Sequence, residues 1–448
     1  MGEDQSRQEV ERFDVVVIGS GMGGMCSAAW LASAGLAVAV VERSQHLGGR
    51  ASHRVRRDAV VTTGAIMIPM GPGSAIRQAF DAVGAEMNMI DTTGRMRYRL
   101  AHGDYDLPPG GGGLYGMIEF ALEGDVDQAQ ALFARFREAM GWWTPLDSIT
   151  MREWLDQYTA NENVKSLFNG YTAALMGVGI HEMGAGTFFQ FLKGSSKGSR
   201  FGLAAEGNGD LMAALATGLE SHGATLLRRT QVNEIVVEND CVAGVRVVTD
   251  GQERVISADY VLSNTGPDRT VELAGGDDAF ESSYIARLRT QAHAATIFHV
   301  SFLMDRPLID DLDGSLVLGN NTNLIYLEIP SNISPHIAPP GRHLHTAYGA
   351  PVDSANVDYQ GELDNTLAEL EQNFPGVLEE AEFVVKAMHR GRSPGMHRWV
   401  GRTMPVTTPI RGLYNVGDGC TAPGTIGTEG AASSAKLATS HLLERHRR

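Results

Sequence analysis

The chain has 448 residues, 43% hydrophobic and 20% charged, with a formal net charge of −16. That composition suits two globular domains or one elaborate one, and the negative balance excludes nucleic acid or an anionic lipid surface as the main partner. Cys26, Cys241 and Cys420 lie far apart with no CxxC pair, which argues against a disulfide framework or a zinc site and fits a reducing, cytoplasmic location.

The opening MGEDQSRQEVERFD is polar and acidic, with no signal-peptide core. Its match to the short M-G-x-x-x-S acylation pattern is read as chance. The longest apolar run, about residues 28–41, is broken at Ser33 and Gly35, so no integral membrane segment is expected.

The stretch VVVIGSGMGG sets Gly19, Gly21 and Gly24 in a G-x-G-x-x-G directly after a β-branched strand. Gly19 allows a tight turn, Gly21 lets a pyrophosphate approach the backbone, and Gly24 lets helix and strand pack closely. A helix from about Met22 turns its free N–H groups and positive end toward the phosphates. Glu42 closes the second strand, where a carboxylate takes both ribose hydroxyls. This combination predicts a dinucleotide site.

ERSQHLGGRAS follows, with Gly48, Gly49, Arg50 and Ser52. It resembles the second FAD motif, R-x-G-G-R-x-x-S/T, of the amine oxidase and phytoene desaturase superfamily, with His46 in place of the leading arginine. An arginine beside a diglycine can reach a phosphate already seated on a helix N-terminus. The resemblance implies FAD as cofactor, with the flavin ring between two domains. TTGAIMIPMG (62–71) would then pass beside the ring, Gly64 and Ala65 allowing close approach and Ile66, Met67 and Ile68 forming an apolar wall.

AIRQAFDAVGAEM, QAQALFARFREAM and MREWLDQYTANENVKSLFNGYTAALM carry apolar residues at helical spacing. PPGGGGLYG (108–116) follows prolines and not a strand, and reads as a flexible loop or lid. Trp142 and Trp143 read as helix-end packing or lid residues. GVGIHEMGAG (177–186) lacks a distal acid, so no second dinucleotide domain is expected. Electrons would therefore leave the flavin to oxygen, a quinone or a carrier protein.

Between Gly209 and Pro267 a helix precedes strands near 224–237, 241–249 and 253–263, with turns at Glu238–Asp240 and Asp250–Gly251. The resemblance places the backbone of Val232 against the adenine and Asn264 and Gly266 near the cofactor. Farther on, ATIFHVSFLMD and NLIYLEIP read as strands and ELDNTLAELEQNF as a helix. His181, His299, Tyr326, His345 and Trp399 are the candidate polar groups of a substrate cavity. Of these, Tyr326, His345 and Trp399 are taken as candidate catalytic residues, Trp399 because the superfamily often sets an aromatic over the flavin. His299 alternates with apolar neighbours and reads first as a core histidine. His343 and His345 share a strand face without a further ligand spaced to them, so no metal is expected.

GLYNVGDGCTAPGTIGTEGAASSAKLATSHLLERH reads strand, Gly417–Asp418, glycine-rich loop, then a helix from about Thr428. It resembles the closing flavin motif of the same superfamily, with Ala435 where glycine is usual. The resemblance puts Asp418 near the ribityl chain and pyrophosphate, and Gly427 and Thr428 at the flavin N1–C2=O edge.

The expected architecture is α/β. A discontinuous Rossmann-like FAD-binding domain comprises 12–75, 200–290 and 405–448, and an α+β substrate-binding domain 76–199 and 291–404. The expected activity is dehydrogenation of a small apolar substrate, alicyclic or terpenoid, by hydride transfer to flavin N5. The five lysines, Lys165, Lys193, Lys197, Lys386 and Lys436, sit in no apolar strand, which favours C–C over C–N oxidation. An amine oxidase, a redox-neutral isomerase and a non-enzymatic binding protein of the same fold stay open, as does assembly into a homo-oligomer.

Overall fold

Val15, Val16, Val17 and Ile18 are buried, and a β-branched run without a polar break belongs at the centre of a covered sheet. The computed structural model, which describes residues 11–108, 113–142, 147–195, 200–290 and 294–447, puts the strand Glu11–Ile18 inside a seven-stranded sheet. Val38–Val41 and then Thr225–Leu227 lie parallel on one side, and Gln252–Ser263 lies parallel on the other. Cys241–Thr249 and Thr230–Glu238 continue antiparallel, and Leu413–Asn415 pairs with the end of Gln252–Ser263. Three remote parts of the chain thus build one sheet.

The helices Met22–Ser33, Gly427–His446, Asn208–Ser221 and Ala75–Ala82 cover it, the first packed against the other three. Ile76, Ala79 and Phe80 lie in the same core, so the helix that begins at Ala75 goes with this sheet and not with the segment that follows.

A second seven-stranded sheet runs Glu382–His389, Ile297–Met304, His343–Gly349, Leu324–Glu328, Ser315–Leu318, Met96–Leu100, Gly103–Asp106. It is antiparallel except where Ser315–Leu318 meets Met96–Leu100. Phe298, Val300 and Phe302 face one side, where Leu363 and Leu370 of the helix Tyr359–Asn373 close a core. The other side meets a helical cluster whose centre is Phe136, Trp154, Phe168 and Phe188.

One helical reading is resolved further and one loop reading is corrected. The stretch from Met151 to Met176 is two helices, Met151–Asp156 and Glu162–Met176. The Asn161 side chain accepts from Val164 N–H at 3.1 Å and starts the second one, a capping bond worth about 1 kcal/mol. Of the glycine-rich loop, 109–112 lie outside the described residues, but Gly113 opens the helix Gly113–Ala121, so Leu114–Gly116 are helical. Trp142 meets Phe189 edge-on; Trp143 lies outside the described residues. Among those residues no helix is long and apolar enough to cross a membrane.

Candidate active site

One cavity of about 1780 Å³ opens between the two sheets. Its first end is built where the strand Glu11–Ile18 turns into the helix Met22–Ser33. Gly19 makes that turn at φ +92°, a conformation that favours glycine. Gly21 is the N-cap, and Gly19, Gly21, Met22 and Gly23 line the cavity. Gly24 does not; a Cβ there would lie 2.0 Å from the Gly19 carbonyl oxygen, so its absence lets helix and strand touch. Glu42 lines the cavity, and its carboxylate accepts from Ser20 N–H at 2.9 Å, Ser20 Oγ at 2.7 Å and Ser44 N–H at 2.8 Å. Val232 lies beside this end. The Asn264 amide, oriented to suit both neighbours, accepts from Gly21 N–H at 3.2 Å and donates to Val416 O at 3.3 Å.

Gly48, Gly49 and Arg50 follow along the wall, as does His46. The Arg50 guanidinium is engaged by protein groups: it donates to both Asp418 oxygens, at 2.6 and 2.9 Å, and to Gly395 O at 2.5 Å, with His397 Nδ1 at 3.0 Å. Burial opposes ionisation of Asp418, but Arg50 and His397 outweigh it and hold the carboxyl well below its usual range. Gly427 and Thr428 line the cavity at the start of the helix Gly427–His446. Gly417 stands behind the wall, its N–H donating to Ser434 Oγ at 2.8 Å. Glu429 turns away and caps Ala75–Ala82, accepting from Ser74 Oγ at 2.6 Å and Ala75 N–H at 2.7 Å.

Gly64, Ala65, Ile66 and Met67 form the middle of the wall; Ile68 instead enters the first core. The cavity continues as a chamber lined by Tyr98, Tyr115, Phe133, Tyr171 and Phe191 of the second sheet and the helical cluster.

Of the three candidate catalytic residues, only Tyr326 reaches the cavity, with its hydroxyl bonded to Ser315 Oγ at 2.6 Å and to the Glu328 carboxyl. His345 is corrected to a structural residue. It lies on the opposite face of the sheet, stacked on Phe302 at 4.9 Å, with Nε2 accepting from Leu308 N–H at 3.0 Å. Burial drives its pKa down to about 3, so it is a neutral core imidazole. Trp399 is corrected likewise: it packs against the helical cluster, while Met396 and His397 of the same segment face the cavity. His181 and His299 are also outside the cavity wall; burial lowers the His299 pKa to about 3.

Sequence reasoning missed Glu328, Ser315, Tyr348 and His389. The alternation in LIYLE held a signal for the first, because Tyr326 and Glu328 must share a face. Among the described residues no three His, Cys, Asp or Glu side chains converge as a metal site.

A family model of flavin-containing amine oxidoreductases matches residues 22–443. Phytoene dehydrogenase of Streptomyces griseus is 27% identical over 506 residues, spanning 96% of this chain and 94% of that protein. The chloroplastic prolycopene isomerase 1 of an Oncidium hybrid cultivar is 23% identical over 487 residues, spanning 92% of this chain and 81% of that one. An oxidoreductase from Methanosarcina mazei, known as a crystal structure, superposes with a TM-score of 0.82 at 23% identity, covering 96% of this chain and 99% of its own; that likeness speaks for the fold alone. With the match running over nearly its whole length, the chain belongs to the flavin-containing amine oxidoreductase family.

Proposed function

We propose that this protein is an FAD-dependent dehydrogenase that desaturates a C–C unit of a small apolar substrate, alicyclic or terpenoid. The observation that carries this reading is the contrast inside one cavity. The carboxylates that reach it, Glu42, Asp268, Glu272 and Asp418, all belong to the first sheet and its helices. Among the described lining residues the far chamber has neither a carboxylate nor a lysine. A protonated amine entering it would lose its hydration and meet no counter-charge on the lining, Glu328 being screened behind Tyr326 and Ser315, which is costly, whereas a hydrocarbon skeleton loses nothing.

The residues present fit FAD. The cavity exceeds the roughly 300–1,000 Å³ of a single small-ligand site, leaving space for a dinucleotide and a substrate. Two helices, from Met22 and Gly427, begin on it and offer free N–H groups. Glu42, held by Ser20 and Ser44, would take the ribose hydroxyls; Val232 would flank the adenine; Arg50 would turn part of its fork from Asp418 toward a phosphate. Bound FAD supplies a two-electron acceptor beside the chamber. The chain's own work is to lay an apolar skeleton against Ile66, Met67 and the aromatic walls, to exclude water, and to hold a proton site at the Tyr326 oxygen. Oxygen, a quinone or a carrier protein would reoxidise the flavin.

The similarity to prolycopene isomerases favours one second reading, a redox-neutral isomerisation in the same cavity. Anaerobic addition of cyclic ketones and acids, amines and a short polyene to the yellow holoenzyme separates these readings. Bleaching of the blue-absorbing flavin band by an alicyclic compound or polyene is the expected result. Bleaching by amines alone would replace it with amine oxidation, and polyene turnover without net bleaching would replace it with isomerisation.

A further inference from the structure

Glu328 is fully buried, at 0% exposure, and has a set of partners unlike those of neighbouring glutamates. Glu369 accepts from the N–H groups of Thr322, Asn323 and Leu324, and Glu182 from Ser354 N–H and Oγ. Those carboxylates hold loops together. Glu328 holds no backbone group among the described residues. Its Oε1 meets two hydroxyls, Ser315 Oγ at 2.7 Å and Tyr326 Oη, and its Oε2 is buried with no hydrogen-bond partner. Ser315 Oγ also lies 2.6 Å from Tyr326 Oη, which closes a three-membered array. Ser315 and Tyr326 line the cavity and Glu328 stands behind them.

A carboxyl placed this way costs stability and ties down no backbone group, and perturbed, desolvated acids cluster at functional sites. We propose that Glu328 is the terminal proton acceptor of a relay that enters at the Tyr326 hydroxyl, with Ser315 hydrogen-bonded to both. The proposal rests on the dehydrogenase reading above. As the substrate's double bond forms, one hydrogen leaves its carbon with the bonding electron pair, which FAD, when bound, would take up. The hydrogen on the adjacent carbon leaves as a proton to the Tyr326 oxygen, and its C–H electron pair becomes the π bond. The Tyr326 proton passes to the ionised Glu328, which ends neutral and later returns it to solvent.

Burial pushes the Glu328 pKa up to about 8, with the Ser315 hydrogen bond acting in the opposite direction. A base whose pKa lies near the working pH balances availability against strength. The titratable groups sharing this sheet face with Glu328 are Tyr98, Tyr105, Tyr326, Tyr348, His299, His389 and, at the end of the outermost strand, Glu382. Burial keeps Tyr98 and Tyr348 protonated and both histidines neutral, with pKa values of about 3 and about 4. Arg50 bears on His389, and Arg95 at the sheet edge pairs with Asp313. Across the face lie Val61, Ile66, Leu203 and Ile337.

The test uses the holoenzyme and its Glu328→Gln, Glu328→Asp and Tyr326→Phe variants, each with full flavin content. An infrared pH titration should show one protonated carboxyl band lost around pH 8, absent from Glu328→Gln. The anaerobic bleaching rate should rise through the same pH. Glu328→Gln and Tyr326→Phe should lose roughly 100-fold in that rate, together with the pH limb, while the half-saturating substrate concentration stays unchanged. Glu328→Asp should regain part of the rate with a displaced limb. A band that does not depend on Glu328, or a limb that survives in Glu328→Gln, overturns the relay alone. A titrating band in a wild-type enzyme that no compound bleaches overturns the dehydrogenation, and the base role with it.

Discussion

At the end of the cavity proposed for FAD the wall is backbone, while at the chamber end it is side chain. The first end is made by Gly19, Gly21, Gly48, Gly49 and Gly427, with two carboxylates held in place, Glu42 by Ser20 and Ser44 and Asp418 by Arg50 and His397. The second is made by tyrosines, phenylalanines and methionines carried on a sheet face and on helices. Backbone walls are set by the positive φ of Gly19, Gly48, Gly49 and Gly427, which side chains rarely adopt, whereas side-chain walls can be re-cut one residue at a time. That difference explains how a family can keep a cofactor site while its members differ in substrate, since function resides in the site and not the fold.

The largest expected effect tests the backbone end. In Gly24→Val the new Cβ meets the Gly19 carbonyl at 2.0 Å and Val17 Cγ1 at 3.3 Å. Neither the turn nor the strand can yield, so we expect a loss of about 3 kcal/mol or more and little soluble protein. Gly21→Val differs, because its Cβ meets the Asn264 side-chain amide at 2.5 Å, which can turn aside. That variant should fold and be colourless. Flavin content per folded protein, by absorbance and circular dichroism, separates the two; a fully yellow Gly21→Val would break the assignment of this end.

The next effect belongs to the chamber end and is read as stability against pH. Burial raises the folded pKa of Glu328 from the ordinary value near 4.5 to about 8. Between those values the folded state carries the proton and the unfolded chain does not, so stability falls as pH rises. The slope is about 1.4 kcal/mol per pH unit from this one group, flattening above the folded pKa. Glu328→Gln removes that slope. Urea unfolding at about pH 5, 6.5 and 8 should show the variant gaining on the parent as pH increases, and a constant gap would show that Glu328 is already ionised in the fold.

Glu42→Ala comes third. Both oxygens of Glu42 already hold the Ser20 and Ser44 turns, so the loss combines the ribose contact with a loosened loop. FAD affinity should weaken by about 1–3 kcal/mol, measured by flavin titration of apoprotein, without change in the bleaching rate once the site is saturated. Unchanged affinity would remove the ribose role.

The unequal legibility of the two ends has the same origin. G-x-G-x-x-G, the diglycine and the Gly417–Asp418 turn are sequence-local, since each is a backbone shape that few residues allow. Most of the first sheet was therefore readable, including the meander from Thr230 to Ser263, but the strand expected near 224–237 divides into Thr225–Leu227 and Thr230–Glu238, which lie at opposite edges of the sheet. A chamber depends on which face of a strand looks inward, and alternation gives parity without direction. Tyr326 and Glu328 share one parity with their cross-strand neighbours Tyr348 and Thr346; His345 has the other and points into the core with Phe302 and Leu370. An acid in a strand also reads by default as solvent-facing, which hid Glu328.

Trp399 gives the smallest effect and the sharpest check on that point. It lies outside any regular strand or helix, so no periodicity fixed its direction, and resemblance alone set it over the flavin. Its ring is half-buried against the cluster that contains Val400 and Phe188. Trp399→Phe keeps an aromatic body there and should cost less than about 1.5 kcal/mol in unfolding free energy. The flavin spectrum and the anaerobic bleaching rate should match the parent, in contrast to Tyr326→Phe. A shifted spectrum or a rate lowered tenfold would mean that this segment turns over when FAD binds, bringing Trp399 into the cavity in place of His397. The backbone end would then shape the chamber as well as hold the cofactor.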